Sequence, residues 1–178
     1  MSAVTPIDPA RLTGTSAALV EEVRQELGFV PDLMGMLSHS PAALRGYLGL
    51  RAALKGCSLP ASLRERIAIA VAGLNGCNSC LVNHRHMARC AGVADSELEA
   101  AARFASDDDA VAAVLHFAEA IVGSRGHVDA ASLAAIRKAG FGDTAIVEIA
   151  AVIGANMLAN FVNNLAHATD ALTGNDRT

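Results

Sequence analysis

Residues 62–92 read SLRERIAIAVAGLNGCNSCLVNHRHMARCAG, and the fold is decided in this stretch. Ser62 and Glu65 have the S-x-x-E spacing of a capping box, in which side chain and backbone satisfy each other's helix-end hydrogen bonds. This predicts a helix from here through Leu74. Asn75-Gly76 then breaks it. A second helix is predicted from Cys77 or Asn78 to Ala91, with Gly92 as its C-terminal stop.

The same grammar continues on both sides. Helices are expected over Ser16–Leu27 (ended by Gly28), Pro31–His39, Pro41–Lys55, Asp95–Ala105, Ala110–Val122, from an Asp129 cap to Ala139, and from Thr144 to Leu172. Met1–Thr15, with two prolines, reads as an extended arm. No convincing run of alternating β-branched residues occurs, so the fold class is all-α. No linker marks a second domain, and residues 1–178 are read as one helical domain.

Composition bounds the function. The chain is 52% hydrophobic but only 3% aromatic, so its filling is Ala, Leu, Val and Ile, suited to closely packed helices. A mean hydropathy of +0.35 is high for a soluble monomer and predicts that other subunits cover part of the surface. The net charge of -4 argues against nucleic acid or an anionic membrane surface as partner. Ile67–His84 and Ile149–Thr169 lack Asp, Glu, Lys and Arg, but both carry Asn or Gly and are read as buried helices rather than membrane spans. Met1–Val20 lacks the pattern of a signal peptide. A cytoplasmic, reducing location is therefore expected, where a CxxC is catalytic or metal-binding more often than structural.

The chemistry concentrates in Glu65, Cys77, Cys80 and His84, spaced E-x11-C-x2-C-x3-H. His84 is one helical turn past Cys80, on the same face. A thiolate is the nucleophile, and two features favour one here: the helix N-terminus near Cys77, and His84 as proton acceptor for Cys80. The first favours Cys77 as the attacking sulfur and the second Cys80. Glu65 would hold His84 in the useful tautomer if the two helices pack side by side.

Other readings compete. Cys77, Cys80 and His84 suit a zinc site, with Cys57, Glu65 or His86 as fourth ligand. A redox-switch protein or a general disulfide reductase would use the same residues. Glu65 in a capping box needs no catalytic purpose. Cys57 and Cys90 read as small apolar fillers. Asn156, Asn160, Asn163 and His167 form a polar stripe, either a polar contact between helices or subunits or a wall of the active-site pocket. A shift of 83 residues carries Glu65, Cys77, Cys80 and His84 onto Glu148, Asn160, Asn163 and His167, the pattern of a decayed duplication with a C-terminal copy near 130–172.

Glu65, Cys77, Cys80 and His84, within Leu63-Arg64-Glu65-Arg66-Ile67-Ala68 and Gly76-Cys77-Asn78-Ser79-Cys80, resemble the core of the alkylhydroperoxidase D family. That family is the thiol-active branch of the carboxymuconolactone decarboxylase superfamily. The likeness is clearest over Ala42–Ala120, and Phe141–Leu172 resembles the C-terminal helices of its peroxidase-related subgroup. The resemblance implies an all-helical homotrimer or homohexamer that reduces hydroperoxides without haem, flavin or metal cofactor. It implies Cys80 as the peroxide-reactive thiol, Cys77 as the resolving one, and His84 with Glu65 as a proton relay. It also implies a dithiol reductant of lipoyl or thioredoxin-like type. Ser79 departs from the histidine that the best-studied relatives carry before the second cysteine, which puts the lipoyl partner in question. Leu81, Val82 and Phe161 would suit an organic hydroperoxide.

Overall fold

The structure, a computed structural model, describes residues 3–166. Among these residues there are helices and a single 3-10 turn, and no strand. The helices are α1 (Gly14–Leu27), α2 (Asp32–Leu37), α3 (Pro41–Lys55), α4 (Ala61–Leu74), α5 (Asn78–Cys90), α6 (Asp95–Ala101), α7 (Asp109–Ser124), α8 (Ala130–Lys138) and α9 (Asp143–Ala166). The chain divides into two compact units. One runs to Gly49 and resumes at Phe161, and the other is Leu50–Asn160.

In the first unit, Val20 and Val23 of α1, Met34 and Leu37 of α2 and Leu44 of α3 form the core. The N-terminal arm is tied down. Ile7 N–H donates to the Gly35 carbonyl at 3.1 Å, and the His39 ring nitrogen Nε2 lies 2.9 Å from the Thr5 carbonyl. A Cβ on Gly35 would sit 2.7 Å from the Ile7 carbonyl oxygen, so only glycine permits this approach.

The second unit is built around α4. Every residue from Ile67 to Ala72 is buried, which makes this helix apolar on all sides, as the charge-free stretch predicts. It packs against α5, α6 and α7, while α8 covers α7. Ile149, Val152 and Ile153 give one face of α9 to the same core. The expectation that the whole C-terminal apolar stretch is buried does not hold for α9. Only 33% of its most apolar window is buried, and Val147, Leu158, Phe161 and Leu165 face outward. By length and composition α9 could cross a membrane.

The capping box does not form. Pro60, with φ -63°, occupies the N-cap position, so α4 begins at Ala61 and Ser62 falls inside the first turn without capping it. Proline fixes the backbone for helix entry, and that places the start too far upstream for Glu65 to reach it. The Asp129 cap does form, accepting from Ser132 N–H at 2.7 Å. Under the 83-residue shift α4 falls on helical residues 144–157 of α9, but the break between α4 and α5 has no counterpart there. Glu65 and Cys77 are separated by the α4–α5 break, whereas Glu148 and Asn160 share one uninterrupted helix. His167 lies outside the described residues.

Glu97 ties α6 to the loop before α7. It accepts from the Ser106 hydroxyl and from Asp107 N–H at 2.9 Å, with Arg66 3.5 Å away. The Ser106 hydroxyl above all, then the Asp107 N–H and the Arg66 guanidinium, hold its carboxyl below the ordinary glutamate range against the opposing effect of burial. A carboxyl depressed in the folded state stabilises above its unfolded pKa, and loses that contribution as pH falls through the folded value. Glu97→Gln is therefore expected to lower stability by about 1–2 kcal/mol at neutral pH. Urea unfolding at a series of pH values should show the gap closing as pH falls below the ordinary glutamate range, because the wild-type carboxyl is then progressively protonated too.

Candidate active site

Gly76, at φ +62°, turns the chain sharply between α4 and α5, a conformation that favours glycine. The Cys77 N–H then bonds to the Ala72 carbonyl at 3.0 Å, and the Cys77 carbonyl accepts the Leu81 N–H at 2.9 Å. Cys77 is thus the N-cap of α5, and Cys80 stands in its first turn. The two sulfurs are joined in a disulfide, with Cα atoms 5.3 Å apart. The pair is nearly sealed, with Cys77 1% and Cys80 5% exposed. Ala72 and Leu81 pack against it.

The side-by-side packing of α4 and α5 brings Glu65 to His84. Nδ1 of His84 lies 2.7 Å from Oε2 of Glu65. A carboxylate only accepts, so an ionised Glu65 places the ring proton on Nδ1 and leaves Nε2 as the proton acceptor. His84 is one turn beyond Cys80 on α5, the relation the sequence spacing predicts. All four sequence-derived site residues therefore belong to the α4–α5 hairpin. Glu65 serves the imidazole rather than the helix cap.

Residues offered as a fourth zinc ligand take other partners. Glu65 is on His84. Cys57 lies 3.9 Å from an Arg64 guanidinium nitrogen. His86 Nε2 lies 3.8 Å from the Cys90 sulfur. The filler reading fits Cys57, which packs partly buried against the main core. It fails for Cys90, which ends α5 on the solvent side and is exposed. Of the expected apolar lining, Leu81 packs on the disulfide, but Val82 and Phe161 are exposed surface residues. A cavity lined by His116, Phe117, Ser132 and Ile136, between α7 and α8, includes none of the four site residues.

The partner of one residue in the polar stripe was not recognised in the sequence. Asn160 of α9 is 0% exposed, and its Oδ1 accepts from Nδ2 of Asn75 at 3.0 Å. Asn75 is the C-cap of α4, two residues before Cys77. Asn156, one turn earlier on α9, instead donates to the carbonyl of Val152 at 2.8 Å. The polar stripe is thus not one wall. Its fully buried member is an interhelical contact that reaches the turn carrying the cysteine pair.

The profile of the Carboxymuconolactone decarboxylase family matches residues 41–123, which include all four site residues. An AhpD-core, peroxidase-related protein from Ralstonia eutropha JMP134 has a similar structure, with a TM-score of 0.81 and 27% identity over 92% of this chain and 88% of that one. The chain has the AhpD-like fold, and its residues 41–123 are similar to the carboxymuconolactone decarboxylase family. An alkyl hydroperoxide reductase of Mycobacterium tuberculosis is 33% identical over 94 residues, 52% of this AhpD-like chain. That match spans 27% of the mycobacterial protein, about a quarter of its length. The debrominase Bmp8, in complex with 2,3,4-tribromopyrrole as a cysteine-to-alanine variant, is 25% identical with a TM-score of 0.76, over 95% of this chain and 91% of that one. The bonded cysteine pair and the AhpD-like relatives together support a peroxidase-related function.

Proposed function

We propose that this protein is a cysteine-dependent hydroperoxide reductase. The observation that carries the reading is the Cys77–Cys80 disulfide on the same hairpin as a His84–Glu65 pair 2.7 Å apart. In the reduced enzyme, Cys80 gives its proton to Nε2 of His84 and attacks one peroxide oxygen. The O–O bond breaks, His84 protonates the departing alkoxide, and Cys80 becomes a sulfenic acid. Cys77 then attacks that sulfur and expels hydroxide, which leaves as water. The sum is ROOH plus two thiols to ROH, water and the disulfide. An external dithiol reopens the pair by exchange.

The test is a single turnover. Fully reduced protein is mixed with one equivalent of cumene hydroperoxide and followed by peptide mass. Loss of two hydrogens confined to the peptide holding Cys77 and Cys80 is the expected result. No change in that peptide would reject the reading. The likeness to Bmp8 favours one competitor, reductive debromination, in which an aryl bromide plus two thiols gives the arene, bromide, a proton and the same disulfide. The same assay with 2,3,4-tribromopyrrole separates them: oxidation by the bromide and not by the peroxide would put debromination first.

The enzyme is also proposed to be a homo-oligomer, a trimer or hexamer. Val147 and Leu158 of α9 and Leu74 and Val82 of the α4–α5 hairpin are exposed large apolar side chains, which supports this reading. Light scattering is expected to give a trimeric or hexameric mass for the wild type, and Leu158→Glu to lower it. A monomeric wild type would overturn this part.

A further inference from the structure

We infer that Asn160 and Asn75 are a positioning couple for the Cys77–Cys80 pair, one that favours its oxidised state. The inference rests on reading that pair as a redox couple, and not on peroxide being the oxidant. Asn160 occupies a register of α9 where its buried companions are Val152, Ile153, Ala155 and Ala159. An apolar residue is the expected occupant of such a place. The amide is kept although its Nδ2 has no hydrogen-bond partner among the described residues. What it secures is Asn75, whose Nδ2 meets both the Asn160 Oδ1 and the Met157 sulfur at 3.0 Å.

Asn75 is well placed to transmit that hold. Only Gly76 separates it from Cys77, and Gly76 N–H bonds to the Gly73 carbonyl at 3.2 Å while Cys77 N–H bonds to Ala72. A shift of Asn75 is therefore passed to Cys77, which is 1% exposed and packed with Ala72, Cys80 and Leu81. By bracing the turn, α9 keeps the Cys77 sulfur within bonding reach of Cys80. Without the brace the turn samples more positions, and the disulfide ring closes less favourably.

The reversible step is exchange with dithiothreitol: disulfide plus reduced dithiothreitol gives two protein thiols plus the oxidised cyclic reagent. Two electrons and two protons pass to the protein. The measurement is the equilibrium constant of this exchange, read by alkylation and mass across a dithiothreitol redox series. Asn160→Leu keeps most of the volume and removes the acceptor. Asn75→Ala removes the donor at a half-buried turn, which keeps the test usable if the first variant does not fold. Each is expected to shift the constant about fivefold towards the dithiol, and the double variant to shift it no further than either alone. Ile149→Val, elsewhere in the same helix, should lower Tm and leave the constant unchanged. Constants within about twofold of wild type in both single variants, with Tm lowered, would reduce the couple to ordinary packing and overturn the inference. So would strictly additive shifts. A wild type that exchanges normally but turns over no hydroperoxide would reject the peroxide reading alone.

Discussion

Cys80→Ser is expected to cut hydroperoxide turnover by at least about a thousandfold and leave the helices in place. Serine is nearly isosteric, and Cys80 packs with Ala72, Cys77 and Leu81 in a small cluster that a hydroxyl disturbs little. What is lost is the thiolate, since an alcohol does not ionise under these conditions and His84 has nothing useful to deprotonate. Cys77→Ser should behave differently. It keeps the attacking sulfur, so it consumes one equivalent of peroxide and then stops, with one oxygen atom added to Cys80. Stopped-flow peroxide consumption, intact mass and circular dichroism check all three statements. If Cys80→Ser turns over at the wild-type rate, the two-cysteine mechanism is rejected; if the burst belongs to Cys80→Ser instead, the roles of the two sulfurs are reversed.

The second large effect is expected at the imidazole. His84→Ala should slow turnover by about a hundredfold to a thousandfold, the usual range for a positioned acid–base group. That corresponds to about 2.7–4 kcal/mol of barrier at roughly 1.4 kcal/mol per tenfold. Glu65→Gln should cost less, about tenfold to a hundredfold. Its amide oxygen still accepts from Nδ1 of His84, so the ring keeps its orientation, but the negative charge that steadies the imidazolium is gone. Added imidazole should partly restore the His84→Ala protein and not the Glu65→Gln one. Equal rates in all three proteins would leave the 2.7 Å contact as a purely structural tie between α4 and α5.

Much of this was legible in local sequence. Pro41–Lys55 is a helix over its whole expected span, and Gly28 and Gly92 end segments with positive φ because neither needs a side chain. The Asp129 cap and the Asn75-Gly76 break are equally local. Spacing also brought His84 under Cys80, because four residues make one turn. The misses are of another kind. Ser62 and Glu65 had a valid capping pattern, but Pro60 sets the helix start, and two local rules competed with no tertiary information to choose between them. Asn160 was visible as a polar residue on an apolar face. Its partner Asn75 was not, because the contact joins helices far apart in the chain. The outward face of α9 shows the same limit: hydropathy reports that a stretch is apolar, not what covers it.

The outward position of Cys90 bears on how this protein is handled and assayed. With Cys77 and Cys80 joined, two thiols stay free, Cys57 partly buried and Cys90 exposed. A chromogenic thiol reagent added to the oxidised protein will thus show a rapid phase that has nothing to do with turnover. Left in air, the same sulfur is the natural point for covalent dimers to accumulate between molecules. A Cys90→Ser background removes both artefacts. Conversely, an unsubstituted Cys90 offers a ready anchor for a maleimide dye while the bonded pair is protected.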